Sequence, residues 1–205
     1  MPVAVIHEGE PATPATRRVR ADAQRNLLTL LNAAKELFAE AGIDAPVRDI
    51  ADRAGVGVGT VYRHFPTRAD LIAAVFAREI EACADAADRI AADHTPFEAL
   101  RLWMGEFVAL ASTKRGLAQA LHSGEPAFDF VPVKRDQRLF PAFRKLFDAA
   151  LSAGEIRSDV GADDILNAAA TLCTAADAAR FDQAFGLVML MVDGLRCRTD
   201  GYGQT

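Results

Sequence analysis

Residues 47–71 read VRDIADRAGVGVGTVYRHFPTRADL. Two short helical runs, about Pro46 to Ala54 and about Val58 to Phe65, lie only a few residues apart, with Gly55 closing the first and Pro66 stopping the second. Two short helices joined by a tight, glycine-containing turn are the geometry of a helix-turn-helix, whose second helix enters the major groove while the first crosses the backbone. Val58-Gly59-Thr60 supplies a narrow, near-apolar leading turn, and Gly59 removes a side chain where the backbone would approach a duplex. Tyr62, Arg63 and His64 follow in a row and offer phosphate-reaching donors. The competing reading, a helical hairpin packed in a bundle, has little use for Tyr-Arg-His ahead of a stop proline.

Upstream, Leu27, Leu30, Leu31, Ala34, Leu37, Phe38 and Ala41 fall at helical spacing on one face, and Gly42 ends the run. Residues 1–16 carry Pro2, Pro11 and Pro14 and no apolar period, so residues 1–19 are predicted as a disordered tail and 20–66 as the DNA-binding domain. Arg17, Arg18 and Arg20 either begin a solvated helix, the favoured reading, or form an arm that reaches a DNA groove. Downstream, Thr67 is placed to cap a fourth helix with Asp70 returning the bond. The stripe Ile72, Phe76, Ile80, Cys83, Ala87, Ile90 carries that helix to about Ala92. Thr95-Pro96-Phe97-Glu98 starts a fifth helix. A sixth is predicted over Arg115 to His122, a long loop over 123–133, and a seventh helix over Asp136 to Ala153 that kinks or restarts at Pro141. An eighth runs from Asp163 to Ala179 and a ninth from Asp182 to Arg198. No alternating run is long enough for a strand, so the fold class is all-α, about nine helices, with residues 67–205 forming a larger C-terminal domain.

Composition sets outer bounds. The 205 residues are 51% apolar and 25% charged, ordinary for a globular protein, and no run approaches the ~18 apolar residues of a membrane span. The first residues lack the basic start and apolar stretch of a signal peptide, so a cytoplasmic location is expected. Residues 17–68 hold nine Lys/Arg against six Asp/Glu, whereas residues 69–205 hold fourteen against twenty. A basic segment joined to a larger acidic one suits a protein that turns one end toward a polyanion. Cys83, Cys173 and Cys197 are far apart and odd in number, with no CxxC pair or nearby His, so neither a disulfide framework nor a metal site is expected.

The run AGVGVGTVYRHFPTRADL, preceded by VRDIADR, resembles the DNA-binding domain of the TetR-type (TetR/AcrR-like) regulator family. The match covers residues 22–72, and its motif is specific: the helix-turn-helix, the Thr60-x-Tyr62-x-His64-Phe65 run, then a basic residue opening the fourth helix. Residues 73–205 agree with the family only in helix count and length. The resemblance implies an all-helical homodimer with a ligand cavity in each C-terminal domain, in which ligand entry spreads the two DNA-binding heads and weakens their hold on the operator. It implies that Arg48 reads a guanine, that Val58, Gly59 and Thr60 face bases, that Tyr62 and His64 contact phosphates, and that Arg68, where lysine is usual, holds a phosphate. Two positions depart from the pattern: Gly57 stands where serine commonly caps the recognition helix, and Val58 where many members carry lysine. The second change loses a cation and adds a thymine-methyl contact, so base preference does not carry over from relatives.

The ninth helix is apolar on more than one side. Phe181, Phe185, Val188, Val192 and Leu195 form one stripe, and Leu187, Leu190 and Met191 largely cover another. One side can pack in its own domain; the first stripe is assigned to the same helix of a second subunit, a closed two-fold interface through the eighth and ninth helices, with full burial inside one subunit as the alternative. Trp103, Phe107, Phe128, Phe143 and Phe147 are candidates to line an apolar effector cavity, with ordinary core packing as the alternative for each, and Phe130 and Phe140 lie in the same region. His122 and Glu125 either add polar contacts there or end helices in solvent, the latter favoured. No Gly-rich phosphate loop, nucleophile setting or metal-ligand spacing supports an enzyme, and no cofactor is expected. A ligand-blind architectural DNA binder has no use for more than a hundred acidic, helical residues beyond the DNA head. The expected partners are a (pseudo)palindromic double-stranded operator, a small, largely apolar effector and a second copy of the chain. A repressor released by ligand is the principal reading; a ligand-dependent activator or a corepressor-requiring regulator shares the architecture.

Overall fold

The computed structural model describes the backbone of residues 14–121, 126–175 and 180–196, with side chains described for 22–111, 126–173 and 180–196. His122, Glu125, Cys197 and the side chains of Arg17, Arg18 and Arg20 lie outside the described residues. The helices are α1 (Pro14–Ala41), α2 (Val47–Ala54), α3 (Val58–His64), α4 (Arg68–Asp93), α5 (Pro96–Leu121), α6 (Phe130–Lys134), α7 (Phe140–Ser152), α8 (Ala162–Ala175) and α9 (Phe181–Asp193). A 3-10 turn, Pro126–Phe128, precedes α6, and a π turn, Arg135–Leu139, joins α6 to α7. Among the described residues the one β-type pairing is an isolated bridge between Ile156 and Arg196.

Local chemistry places the helix ends. Thr67 Oγ1 accepts from the Asp70 amide at 3.1 Å while the Asp70 carboxylate accepts from the Thr67 amide at 2.9 Å, a complete capping box at the start of α4. At α5, Thr95 Oγ1 donates to Glu98 at 3.0 Å, and the Phe97 amide is taken by Glu155 at 2.6 Å from the α7–α8 connection.

Several expectations are corrected. The first helix starts at Pro14, inside the segment read as a tail, because proline fits a first helical position and no breaker follows it. The fifth and sixth helices are one, α5, which runs unbroken to Leu121; Gly116 weakens a helix without ending it. The described part of the long loop is helical on either side of Asp129, since Pro126 and Pro132 sit in first turns where a missing N–H costs nothing. The irregularity expected at Pro141 takes the form of the π turn directly before it, a common way to absorb a missing helix bond. The ninth helix ends at Asp193, where Leu195 turns back to Val192 and its carbonyl accepts from the Arg157 amide at 2.8 Å.

The helices enclose two apolar cores. The smaller gathers Leu30, Ala34, Ile50, Val61, Phe65 and Leu71. The larger is centred on Trp103, Met104, Phe143 and Leu146, with α4, α5, α7, α8 and α9 around it. Helix α4 belongs to both: Leu71 and Val75 enter the smaller core, Ile72, Phe76 and Ile80 the larger. Any displacement of α4 therefore moves packing in both.

A row of acids on α4 is paired with bases on the α6–α7 segment. Glu81 accepts from Lys134 and, at 2.5 Å, from Arg138; Asp85 accepts from Arg138 at 2.6 Å, and Asp88 from Lys145 at 2.7 Å. The Lys134 hydrogen bond, with Arg138 behind it, holds the Glu81 carboxyl below the ordinary carboxylate range, and Lys145 does the same for Asp88. A carboxyl depressed in the folded state contributes stability that is complete above its unfolded pKa and lost as pH falls through the folded value. The melting temperature is thus expected to be flat from pH 7 to about 5 and to fall below about pH 4. Lys134→Ala should shrink the acid-dependent part of the curve. A melting temperature that rises on acidification contradicts this assignment.

Candidate nucleic-acid interface

The α2–α3 turn is built from one left-handed glycine. Gly55 has φ 68°, its amide bonds Asp52 O at 3.2 Å, and the Val56 amide closes back to Ala51 O at 3.0 Å. That backbone is open to glycine at no steric cost and unfavourable for other residues. Ile50 and Ala51 on α2 are 0% exposed and Val61 on α3 is 1% exposed, so the two helices are fixed to each other through the smaller core. Arg53 braces α2 against α1 with two 2.8 Å bonds to the Glu40 carboxylate, which lower the Glu40 pKa. The two residues are thirteen positions apart, too far for local spacing to pair them.

The outward surface holds most of the residues assigned to DNA. Arg48, Gly59, Tyr62, Arg63 and His64 are exposed, and Val58 and Thr60 are half-buried. Arg63 folds back along α3, Nε donating to Gly59 O at 3.2 Å and Nη2 to Thr60 Oγ1 at 3.1 Å. Arg25, Lys35, Arg53 and Arg78 are each engaged, with Asp22, Glu79, Glu40 and Asn32 respectively. Arg48 is different: it has no hydrogen bond or ion pair with any described residue. A Cβ built on Gly59 meets nothing within 4 Å, so no described part of this chain requires glycine there.

Arg68 departs from the expectation. Its guanidinium is half-buried and turned onto the α1–α2 connection, with Nε and Nη2 donating to Ile43 O at 2.9 and 2.6 Å and Nη2 also to Ala45 O at 2.5 Å. Its Nε and Nη2 donors are thus engaged inside the head.

In the larger domain the five aromatic candidates come together. Trp103, Phe107, Phe128, Phe143 and Phe147 are all at most 7% exposed. Trp103 stacks on Phe107 at 5.8 Å between ring centroids and leans on Phe143 at 5.6 Å, and Phe143 meets Phe147 at 6.0 Å. The indole N–H donates to Cys83 O at 2.8 Å, tying the cluster to α4. Burial pushes the Cys83 thiol up to about 12, which leaves it protonated and no nucleophile. Among the described residues no group of three or more His, Cys, Asp or Glu is placed to hold a metal ion. No described helix is long and apolar enough to cross a membrane.

The α9 stripe divides. Val188 and Val192 are 0% exposed and Leu195 3%, so they pack inside their own subunit and have no surface left to give a partner. Phe181 is half-buried, and Phe185 is exposed. The outward apolar face is instead Leu187 and Leu190, with Phe185 exposed on another side of the helix. The helix is wide enough in apolar surface for either side to serve as the inner one, and the stripe alone does not show which.

Residues 30–75 match bacterial regulatory proteins of the tetR family, and residues 95–197 match the C-terminal domain of SbtR-like transcriptional regulators. A solved TetR transcriptional regulator from Streptomyces coelicolor is 38% identical, with a TM-score of 0.70 over 83% of this chain and 98% of that one. The chain belongs to the TetR family. A second TetR-family structure, from Mycobacterium vanbaalenii, is 35% identical with a TM-score of 0.67 over 87% of this chain and 99% of its own. The HTH-type transcriptional repressor KstR of Mycobacterium tuberculosis is 29% identical over 78% of this chain and 70% of its own length. As a TetR-family member the chain is a DNA-binding regulator of transcription, with α2 and α3 as its helix-turn-helix.

Proposed function

We propose that this TetR-family chain is a cytoplasmic, homodimeric repressor that binds a (pseudo)palindromic operator through α2 and α3 and is released by a small, largely apolar ligand. The observation that carries the operator assignment is Arg48, whose guanidinium stands exposed and unengaged on the helix that packs against α3. A free guanidinium can bond guanine O6 and N7 together, which is worth about 1–3 kcal/mol of discrimination. Gly59 supports the same reading, since a duplex lying against α3 supplies the reason for glycine that the fold does not. Val58 and Thr60 then face bases, and Tyr62, His64 and Arg63 the phosphates, Arg63 once it leaves its own helix. The exposed apolar pair Leu187 and Leu190 suits a two-fold contact with a second copy. The ligand sits against the aromatic cluster of Trp103, Phe107, Phe128, Phe143 and Phe147. It acts on DNA affinity only insofar as it binds two conformations unequally, and α4, shared by both cores, is the element able to relay the difference.

The test is selection of binding sites from a random duplex library by the purified protein, followed by titration of variants. Arg48→Ala should lose preference at one symmetric base pair per half-site and keep much of its non-specific binding. Gly59→Ala should fold with a melting temperature unchanged or raised, a gain of up to about 1 kcal/mol in helix propensity, yet bind the operator at least about tenfold more weakly. An unchanged preferred sequence in Arg48→Ala, or full affinity in Gly59→Ala, removes α2–α3 base reading. For the ligand, native mass spectrometry of the purified protein and operator titration with the recovered compound decide the sign. Tighter binding with ligand replaces the inducible repressor by a corepressor-requiring regulator.

A further inference from the structure

We infer that Arg68 is a positioning residue that straps the start of α4 to the α1–α2 connection, so that α2 and α3 move with α4 as one body. The connection runs through Gly42 and the buried Ala45. Among the described residues no backbone amide reaches Ile43 O or Ala45 O, and both carbonyls are filled by the one guanidinium. Charge-assisted bonds to two neighbouring carbonyls from a planar fork are stronger and more directional than neutral ones, and a lysine ammonium does not reproduce them. Three elements converge at this point. Arg68 is the first residue of α4, Leu71 one turn later packs into the head core, and the carbonyls it holds lead directly into α2 at Val47. The strap also explains arginine at a position where lysine serves as a phosphate contact in relatives that the sequence resembles. The consequence for the proposed operator binding, on which this part rests, is that Arg68 acts on DNA through the angle of α2 rather than by touching it.

The experiment compares wild type, Arg68→Lys and Arg68→Ala in the full chain, with two readouts. Without DNA, amide hydrogen exchange is followed at Ala45, whose N–H bonds Gly42 O at 3.1 Å within the strapped turn. With DNA, binding is titrated against salt. A strap predicts Ala45 exchange faster by about tenfold in both variants, the size expected from losing about 1.4 kcal/mol of local protection. It also predicts weaker operator binding with an unchanged salt slope, and no rescue by Lys. A phosphate-holding Arg68 predicts unchanged exchange, a slope smaller by about 0.9 for each phosphate no longer neutralised, and rescue by Lys; that result overturns the inference. If Arg68→Ala does not fold, Arg68→Lys decides by the same exchange measurement. If wild type selects no operator at all, the proposed function fails while the exchange readout still judges the strap.

Discussion

Leu190→Glu should convert the protein to a folded monomer and cost it about 10²–10⁴ in operator affinity. Leu190 is 68% exposed in the single chain, and Leu187 three residues earlier is 45% exposed. A glutamate at Leu190 is solvated in the protomer, so the fold has no reason to suffer. In a two-fold contact the same substitution buries two carboxylates per dimer against apolar neighbours, each costing several kcal/mol unless neutralised. At 1.4 kcal/mol per tenfold, a total of about 4 kcal/mol or more raises the dimer dissociation constant at least about a thousandfold. The operator loss follows because the second half-site is then bound without the millimolar effective concentration that tethering supplies. Val192→Glu is the control: Val192 is 0% exposed within the protomer, so this variant should unfold rather than dissociate. Sedimentation equilibrium and circular dichroism separate the two. A Leu190→Glu protein that stays dimeric with full operator affinity removes this face from the interface.

What is legible in the sequence is local. The capping box at Thr67 and Asp70 and the turn at Gly55 depend on residues within a few positions of one another, and each forms as expected. The helix-turn-helix is legible for the same reason. Errors arise where spacing cannot rank tertiary partners. Arg68 has the charge for a phosphate, but carbonyls 25 and 23 positions upstream take its Nε and Nη2 donors, contacts that nothing near Arg68 announces. On α9 the pattern 181, 185, 188, 192, 195 looks like a seam, whereas Ala184, Val188 and Val192 line the inner side and Leu187 and Leu190 the outer. Pro126 and Pro132 suggest a loop only while a proline's tolerance of a first helical turn is left out of account. The α4–α7 pairing does leave a sequence signal: Glu81, Asp85 and Asp88 recur at helical spacing, and so do Lys134 and Arg138.

Trp103→Ala should lower stability by about 3–5 kcal/mol if the aromatic cluster is closed core. Trp103 is 0% exposed, its ring packs on Phe107 and Phe143, and its N–H is bonded to the α4 backbone at Cys83. Removing the indole forfeits the transfer energy of the ring and leaves a void that a close-packed surround fills only in part. For a chain of this size, about 2–4 °C per kcal/mol turns that into a fall of roughly 6–20 °C in melting temperature. Trp103→Phe keeps most of the volume and drops the hydrogen bond, and should cost about 1–2 kcal/mol. The pair of values also bears on the effector. A side chain that borders an existing cavity has fewer neighbours on that side, so its truncation enlarges a space already open and costs well under 3 kcal/mol. Urea unfolding of both variants gives the two numbers. A small loss in Trp103→Ala places the ligand against Trp103 itself. The full loss makes Trp103 the support behind the site and moves the search for ligand-facing residues to Phe107, Phe128, Phe143 and Phe147.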